Sequence, residues 1–407
     1  MEFKDLKLVA PLLKALQQQE YKHPTPVQQQ AIPVALSNKD LLACAQTGTG
    51  KTAAFALPIL QLLFNDKKNG NASTHISALI LTPTRELAIQ IEESFKSYGA
   101  YTGLKSFAVY GGISQYHQVK KLRQGVDILI ATPGRLLDLA TQRLITLQHI
   151  KTLVLDEADR MLDMGFINDV RKILARLPQQ KQTLFFSATM PPDIIHLSQS
   201  ILDNPVSINI TPASTTAETV EQAVYFVEKS DKRSLLIHLL KNDSIDTALV
   251  FTETKFGADK LCAALRRENI RVQAIHGDKT QAERQKALNN FKNKHISVLI
   301  ATDIAARGID IESLPYVINY ELPNIPETYV HRIGRTGRAG INGKAISFCG
   351  MEEKMLLRDI HKLIDRSIPV IKDHPFQMAE ADASMQPKTV MPFRSLNRRR
   401  DKTFRQR

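Results

Sequence analysis

The stretch LLACAQTGTGKT, residues 41–52, decides how this chain folds. A short apolar run ends in a loop holding Gly48 and Gly50, and Lys51 and Thr52 then open the helix-length segment AAFALPILQLL. Strand, glycine loop and helix in that order form the context a phosphate-binding loop requires. Glycines let the backbone curl until its N–H groups face phosphate oxygens, and the helix N-terminus adds the positive end of its dipole. Lys51 then suits the β and γ phosphates of a nucleotide, and the Thr52 hydroxyl suits Mg2+. The strict loop pattern begins with Gly where this chain has Ala45, so the residues alone also admit a plain glycine-rich turn.

Outward from that loop, apolar runs alternate with helical patterns. Strands are predicted at 40–45, 78–82, 107–110, 127–132, 152–156 and 183–187, then at 223–227, 248–252, 272–275, 297–302, 316–320 and 345–349. Helix-length segments such as 28–36, 85–95, 256–268 and 281–291 separate them. Near-continuous apolar strands alternating with helices predict an α/β fold, with parallel sheets covered on both faces. The alternation breaks at TPASTTAE, residues 211–218, which is small, polar and without apolar periodicity, and so reads as a linker. It separates a first unit at 1–210 from a second at 219–372, both doubly wound. Residues 373–407 read as a basic, disordered tail; from residue 388 onward Lys388, Arg394, Arg398, Arg399, Arg400, Lys402, Arg405 and Arg407 are accompanied by a single acid, Asp401. Such a tail either tethers RNA or merely solubilises the chain.

Bulk properties narrow the classes. The 407 residues suit two or three domains, and a hydrophobic content of 43% supports buried cores. No apolar run approaches the roughly 18 residues of a membrane span. The start, MEFKDLKLVAPLLKAL, reads as an amphipathic helix and not a signal peptide. Cys44, Cys262 and Cys349 are scattered, as reduced core thiols of a cytoplasmic protein are, with no disulfide or metal framework. A formal net charge of +13 favours a polyanionic partner, RNA or DNA, although basic soluble proteins are common.

Two more clusters carry chemistry. DEAD, residues 156–159, closes the apolar run TLVL. Carboxylates at the C-terminal end of a parallel strand lie beside the phosphate crevice. Asp156 suits Mg2+, directly or through water, and Glu157 suits polarising the water that attacks a γ phosphate. An acidic cluster favoured by a helix N-terminus is the plainer alternative. In the second half, HRIGRTGR, residues 331–338, spaces Arg335 and Arg338 so that guanidinium forks grip phosphate oxygens and spread transition-state charge. A simple RNA-phosphate patch is the alternative.

On these motifs the chain resembles a DEAD-box RNA helicase, and most of all the bacterial RhlE-type subgroup. The likeness covers about residues 3–371 and rests on an ordered series: YKHPTPVQ (21–28), AQTGTGKT (45–52), PTREL (83–87), GG (111–112), TPGR (132–135), DEAD (156–159), SAT (187–189), VFTETK (250–255), QAER (281–284), ATDIAARGID (301–310) and HRIGRTGR (331–338). Ala45 agrees with the family, whose loop commonly starts with Ala, whereas Glu20 stands where the family usually has Gly.

The resemblance implies two tandem RecA-like doubly wound domains and an RNA-stimulated ATPase using ATP and Mg2+. It implies that Tyr21 stacks on adenine, Gln28 reads the adenine edge, and Thr25 and the upstream Phe3 complete that pocket. Gln46, Thr47, Gly48, Thr49 and Gly50 would cradle the phosphates. Arg335 and Arg338 would be arginine fingers, and Asp303 and Gly308 would approach the nucleotide. Asp159, Ser187, Thr189, His331 and Arg332 would couple the ATP site to RNA. Thr84, Arg85, Gly112, Thr132, Gly134 and Arg135 in the first half, with Thr252, Gly277, Arg284 and Thr302 in the second, would hold an RNA backbone. No aromatic platform is interleaved with these and the chain has no Trp, so little base preference is expected. The expected activity is local, non-processive unwinding of short RNA duplexes or remodelling of RNA–protein complexes. Ribosome assembly, mRNA degradation and cold adaptation all suit the subgroup. A DNA helicase and a non-catalytic ATP-dependent RNA clamp are the rivals, and intact Lys51, Glu157, Arg335 and Arg338 argue against the clamp.

Overall fold

The computed structural model describes residues 1–45, 48–70, 75–210, 220–242, 245–306, 314–337 and 343–378. Gln46, Thr47, Gly308, Arg338, the linker at 211–218 and the tail beyond residue 378 lie outside the described residues.

The first half builds a sheet from β1 (Leu41–Cys44), β2 (Ala78–Leu81), β3 (Ser106–Val109), β4 (Ile128–Ala131), β5 (Thr152–Leu155), β6 (Gln182–Ser187) and β7 (Val206–Asn209), in the order β3-β4-β2-β5-β6-β1-β7. The second half builds another from β8 (Val220–Phe226), β9 (Ala248–Thr252), β10 (Val272–Ile275), β11 (Val298–Thr302), β12 (Tyr316–Asn319) and β13 (Gly343–Cys349), in the order β10-β11-β9-β12-β13-β8. Every neighbouring pair of named strands is parallel.

Side chains of successive strand residues point to opposite faces, and both faces are apolar. In β2, Ala78 and Ile80 enter one core while Leu79 and Leu81 enter the other. In β9, Ala248 and Val250 face one core and Leu249 and Phe251 its opposite. Parallel strands buried this way place their C-terminal ends along one edge, where the loops carrying the sequence motifs emerge.

Three expectations need correction. β7 was not anticipated: VSIN is an edge strand in which only Ile208 is buried, so it lacks the two-sided apolar run of a central strand. The N-terminus is not one helix; a short 3-10 turn at Phe3–Leu6 precedes the helix Ala10–Gln18, which carries a proline in its first turn. The second unit extends past residue 372. The His374 ring lies 5.4 Å from Tyr225 and the Phe376 ring 6.1 Å from His238.

Candidate active site

The phosphate loop leaves β1, whose end is tied to β6 by the Ala45 N–H donating to the Ser187 carbonyl at 2.9 Å. Gly48 and Gly50 both take positive φ, and Gly50 caps the helix Lys51–Lys68. A side chain at Gly50 would collide with the Gln28 amide nitrogen. Lys51 is buried and donates to the Ala45 carbonyl at 3.0 Å, across the loop.

The segment at 21–28 grips the same loop from outside. Thr25 and Gln28 form a capping box on the helix Pro26–Leu36. The Thr25 N–H donates to Gln28 Oε1 at 2.9 Å, and Gln28 Nε2 donates to the Gly50 carbonyl at 3.1 Å. Gln28 therefore braces the phosphate loop with the amide expected to read a base. Tyr21 is 41% exposed, its hydroxyl 3.2 Å from that of buried Tyr98 and its ring edge-on to both Tyr98 and Phe3. Phe3 is buried behind Tyr21 and does not line the cavity, because its ring completes the core under the N-terminal turn.

Asp156 follows β5 and is buried. Its Oδ1 has no hydrogen-bond partner. Burial raises its pKa to about 6, against the pull of Lys51 and with help from Glu157. Glu157 takes a left-handed backbone conformation, φ 54°, and pairs with Arg160 Nη1 at 2.9 Å. A non-glycine residue held there is a strained position of the kind that clusters at functional sites. Asp159 is the acid that meets the SAT motif. Its Oδ2 accepts from both the N–H and Oγ1 of Thr189 at 2.9 Å, and its own N–H donates to Ser187 Oγ at 3.3 Å.

A cavity of about 630 Å3 joins these parts. Tyr21, Thr25 and Gln28 line one end with Ser94 and Tyr98; Gly48, Gly50, Lys51, Thr52, Asp156 and Glu157 line the other. Arg335, from the second half, lines the same cavity. Asp303 does not line it. Both its oxygens are taken by buried Arg332, at 2.6 and 2.7 Å, and Arg332 also bonds to Asn319 and the Glu321 carbonyl and lies over the Phe251 ring. His331 lines a smaller recess with Asp303, Arg332 and Arg335.

The residues expected to hold nucleic acid divide. Thr84 caps the helix Arg85–Tyr98, and Gly112 takes a left-handed φ of +82° that disfavours any other residue, with the movable Arg85 guanidinium lying against it. Thr132 precedes the helix Pro133–Thr141, and Arg135 Nη2 donates to the Ile113 carbonyl at 3.0 Å. Gly134 and Gly277 are exposed, and an added Cβ would meet nothing within 4 Å, so the protein's own packing does not demand glycine at either. Thr302 closes β11. Two placements differ from expectation. Thr252 is 1% exposed with its hydroxyl turned to the Thr254 carbonyl, so it is Thr254, capping the helix Lys255–Arg267, that faces outward. Arg284 pairs with Glu86 of the first half at 3.1 Å, beside Gln281, which donates to the same carboxylate at 3.0 Å. Burial lowers the Arg284 pKa, and Glu86 opposes that shift.

Arg160 and Tyr98 are functional candidates missing from the sequence reading, and Glu86, Gln281 and Thr254 lie in its motifs without a role assigned. Arg160 stands three residues after Glu157, the spacing of a helical ion pair, and was open to detection. Tyr98 meets Tyr21 across 77 residues of chain, which no local pattern reports.

Comparison with known proteins gives the same two-part division. The DEAD/DEAH box helicase family matches residues 25–197, and the helicase conserved C-terminal domain matches residues 231–340. The DEAD-box ATP-dependent RNA helicase CshA of Bacillus subtilis (strain 168) is 42% identical over 371 residues, covering 91% of this chain and 74% of that protein. The DEAD-box ATP-dependent RNA helicase RhpA of Helicobacter pylori is 43% identical over 371 residues, with the same coverage of 91% and 74%. Among solved structures, S. cerevisiae Dbp5 bound to RNA and ADP BeF3 superposes with a TM-score of 0.80 at 32% identity, over 91% of this chain and 95% of that one.

Proposed function

Since this chain belongs to the DEAD-box family of ATP-dependent RNA helicases, with two RecA-like domains in tandem, we propose that its two halves complete one ATP site and that closure of this site is what bends and parts RNA. The observation that carries the proposal is Arg335 of the second half lining the cavity that holds Lys51, Asp156 and Glu157 of the first.

Lys51 and the loop amides bind the β and γ phosphates of ATP, and Tyr21 stacks on the base. Glu157, held in place by Arg160, orients a water for attack on the γ phosphate. Arg335 offsets the charge that develops on the transferred phosphoryl group, with Arg338 as its expected partner. The residues present also fit Mg2+: Asp156 keeps a buried, unpartnered carboxylate oxygen, and Thr52 follows Lys51 in the first helical turn. Bound there, Mg2+ neutralises phosphate charge.

RNA is held through its backbone by Arg85, Gly112, Gly134 and Arg135 on one side and Thr254, Gly277 and Thr302 on the other. ATP and RNA each favour closure, so each strengthens the other's binding. Grip and bend without stepping give separation of short duplexes and not long processive travel. We place the chain in the RhlE-type subgroup on its motif series, and in the cytoplasm; among the described residues no helix is long and apolar enough to cross a membrane.

The decisive experiment is Arg335→Lys. It keeps the charge and loses the fork, so ATP binding persists while RNA-stimulated hydrolysis falls by about 10³-fold or more. Turnover at the parent rate would refute the shared site.

A further inference from the structure

The helix Gln115–Leu122 follows the glycine pair Gly111–Gly112 and presents two unlike faces. Val119 and Leu122 pack inward against the first sheet's core. Buried Gln118 clasps Tyr110 from both ends of its amide, at 3.1 Å each. The outer face is different. Tyr116 is 67% exposed, and His117, Lys120, Lys121 and Arg123 are exposed with it. Residues 116 and 120, and 117 and 121, stand one helical turn apart and share that face. The Tyr116 and His117 rings meet edge-on at 5.4 Å. Among the described residues of the first half, ion pairs engage Lys4, Lys96, Arg135, Lys151 and Arg160, and none engages Lys120, Lys121 or Arg123.

This face is continuous with the expected RNA grip. The Ile113 carbonyl takes the Arg135 guanidinium, and Gln115 bonds to Gln142 at the far end of the helix Pro133–Thr141. Asp138, on that helix, is already engaged by Gln142 at 2.7 Å and lies 3.9 Å from Arg135.

We propose that the outer face of Gln115–Leu122 binds the single-stranded RNA segment flanking the gripped strand, with Tyr116 stacking on a base and Lys120, Lys121 and Arg123 meeting phosphates. An exposed ring offers a stacking platform to an unstacked base, and three cations outside any ion pair complement a run of phosphates. Stacking of this kind tolerates any base, so the surface adds affinity without adding sequence preference. The inference rests on the reading that Gly112, Gly134 and Arg135 hold the RNA backbone.

The test uses the full chain, a non-hydrolysable ATP analogue and labelled single-stranded RNAs of about 6 and about 20 nucleotides, read by fluorescence anisotropy. The combined variant Tyr116→Ala, Lys120→Ala, Lys121→Ala binds the short RNA as the parent does but the long one roughly 5- to 10-fold more weakly. Its log–log salt slope on the long RNA falls by about 1.4, for two phosphates no longer neutralised. ATP turnover at saturating RNA stays at the parent level. Parent-like affinity for the long RNA overturns the proposal. An equal loss on both lengths also overturns it, since the residues would then serve the grip itself. A loss seen on a hairpin duplex but not on the long single strand overturns the single-stranded assignment. Failure of the parent protein to bind the short RNA would instead count against the backbone grip.

Discussion

Asp156 is a carboxylate whose ionisation the fold opposes. Its unfolded pKa is near 3.8 and its folded value about 6. Between those values the native state keeps a proton that the unfolded chain has lost, so stability falls as pH rises across that window, and above about 6 the whole penalty is present. Asp156→Asn removes it. The variant is expected to unfold at higher urea concentration than the parent at pH 8, with the gain vanishing below about pH 4. A midpoint unchanged or lowered at pH 8 would disprove this account of burial. Tyr98 acts at the other end of the cavity. Its hydroxyl meets that of Tyr21 at 3.2 Å and its ring sets Tyr21 edge-on, so it orients the ring proposed to stack on the base. Tyr98→Phe should raise KM for ATP about 3- to 10-fold, in line with one lost hydrogen bond, and leave kcat nearly intact. Tyr21→Phe should match it, and the double variant should be no worse than either; additive losses would show that the two hydroxyls act apart.

The phosphate loop and one helix do the work at the scale of elements. Gly50 has φ +88°, a left-handed conformation that glycine adopts freely. The same position lies against the Gln28 amide, so the loop and the segment at 21–28 lock each other. Gly50→Ala should therefore cost about 1–2 kcal/mol in stability and weaken ATP binding at least about tenfold. Loss of the rise in melting temperature that ATP confers on the parent is the measurement; a normal rise would refute the lock. The helix Arg85–Tyr98 joins the two ends of the machine. Its first turn holds Arg85 and Glu86, toward the expected RNA face, and its C-terminal end sets Ser94 and Tyr98 in the cavity shared with Lys51 and Asp156. Its 14 residues span about 21 Å, so the helix is a stiff link between the places where the two ligands are expected.

Across the whole molecule, Glu86 is one of the described residues on which the halves meet. It is buried and accepts from Gln281 and Arg284 of the second half. Charges withdrawn from water in this way hold only while both partners stay, so the contact favours the arrangement in which the halves touch, which is the closed state proposed above. Glu86→Gln and Arg284→Ala should each reduce the factor by which ATP strengthens RNA binding, by about 5-fold or more, and the double variant should match the singles. ATP affinity without RNA should stay near the parent value. Retained coupling in either single variant would remove Glu86 from the closure step.

The arrangement of strands into two parallel α/β units was legible because burial on both faces writes itself into a strand as an unbroken apolar run, as in ALIL of β2 and TLVL of β5. The edge strand β7 stayed hidden for the converse reason: with one face in solvent, VSIN carries no such mark. That the glycine loop and the acid pair would converge was legible too, and Gly48, Gly50, Lys51, Asp156 and Glu157 do line one cavity, at the spacing phosphate chemistry would demand. Sequence alone thus determined the two-unit α/β class and the placing of the motif loops at the strand ends. Tertiary structure decided which side chains meet: Asp303 with Arg332, Tyr98 with Tyr21, and Glu86 with Arg284 where a contact to RNA was expected. Those pairings are set by packing across the two sheets, between residues far apart in the chain, and no local spacing encodes a distance through space.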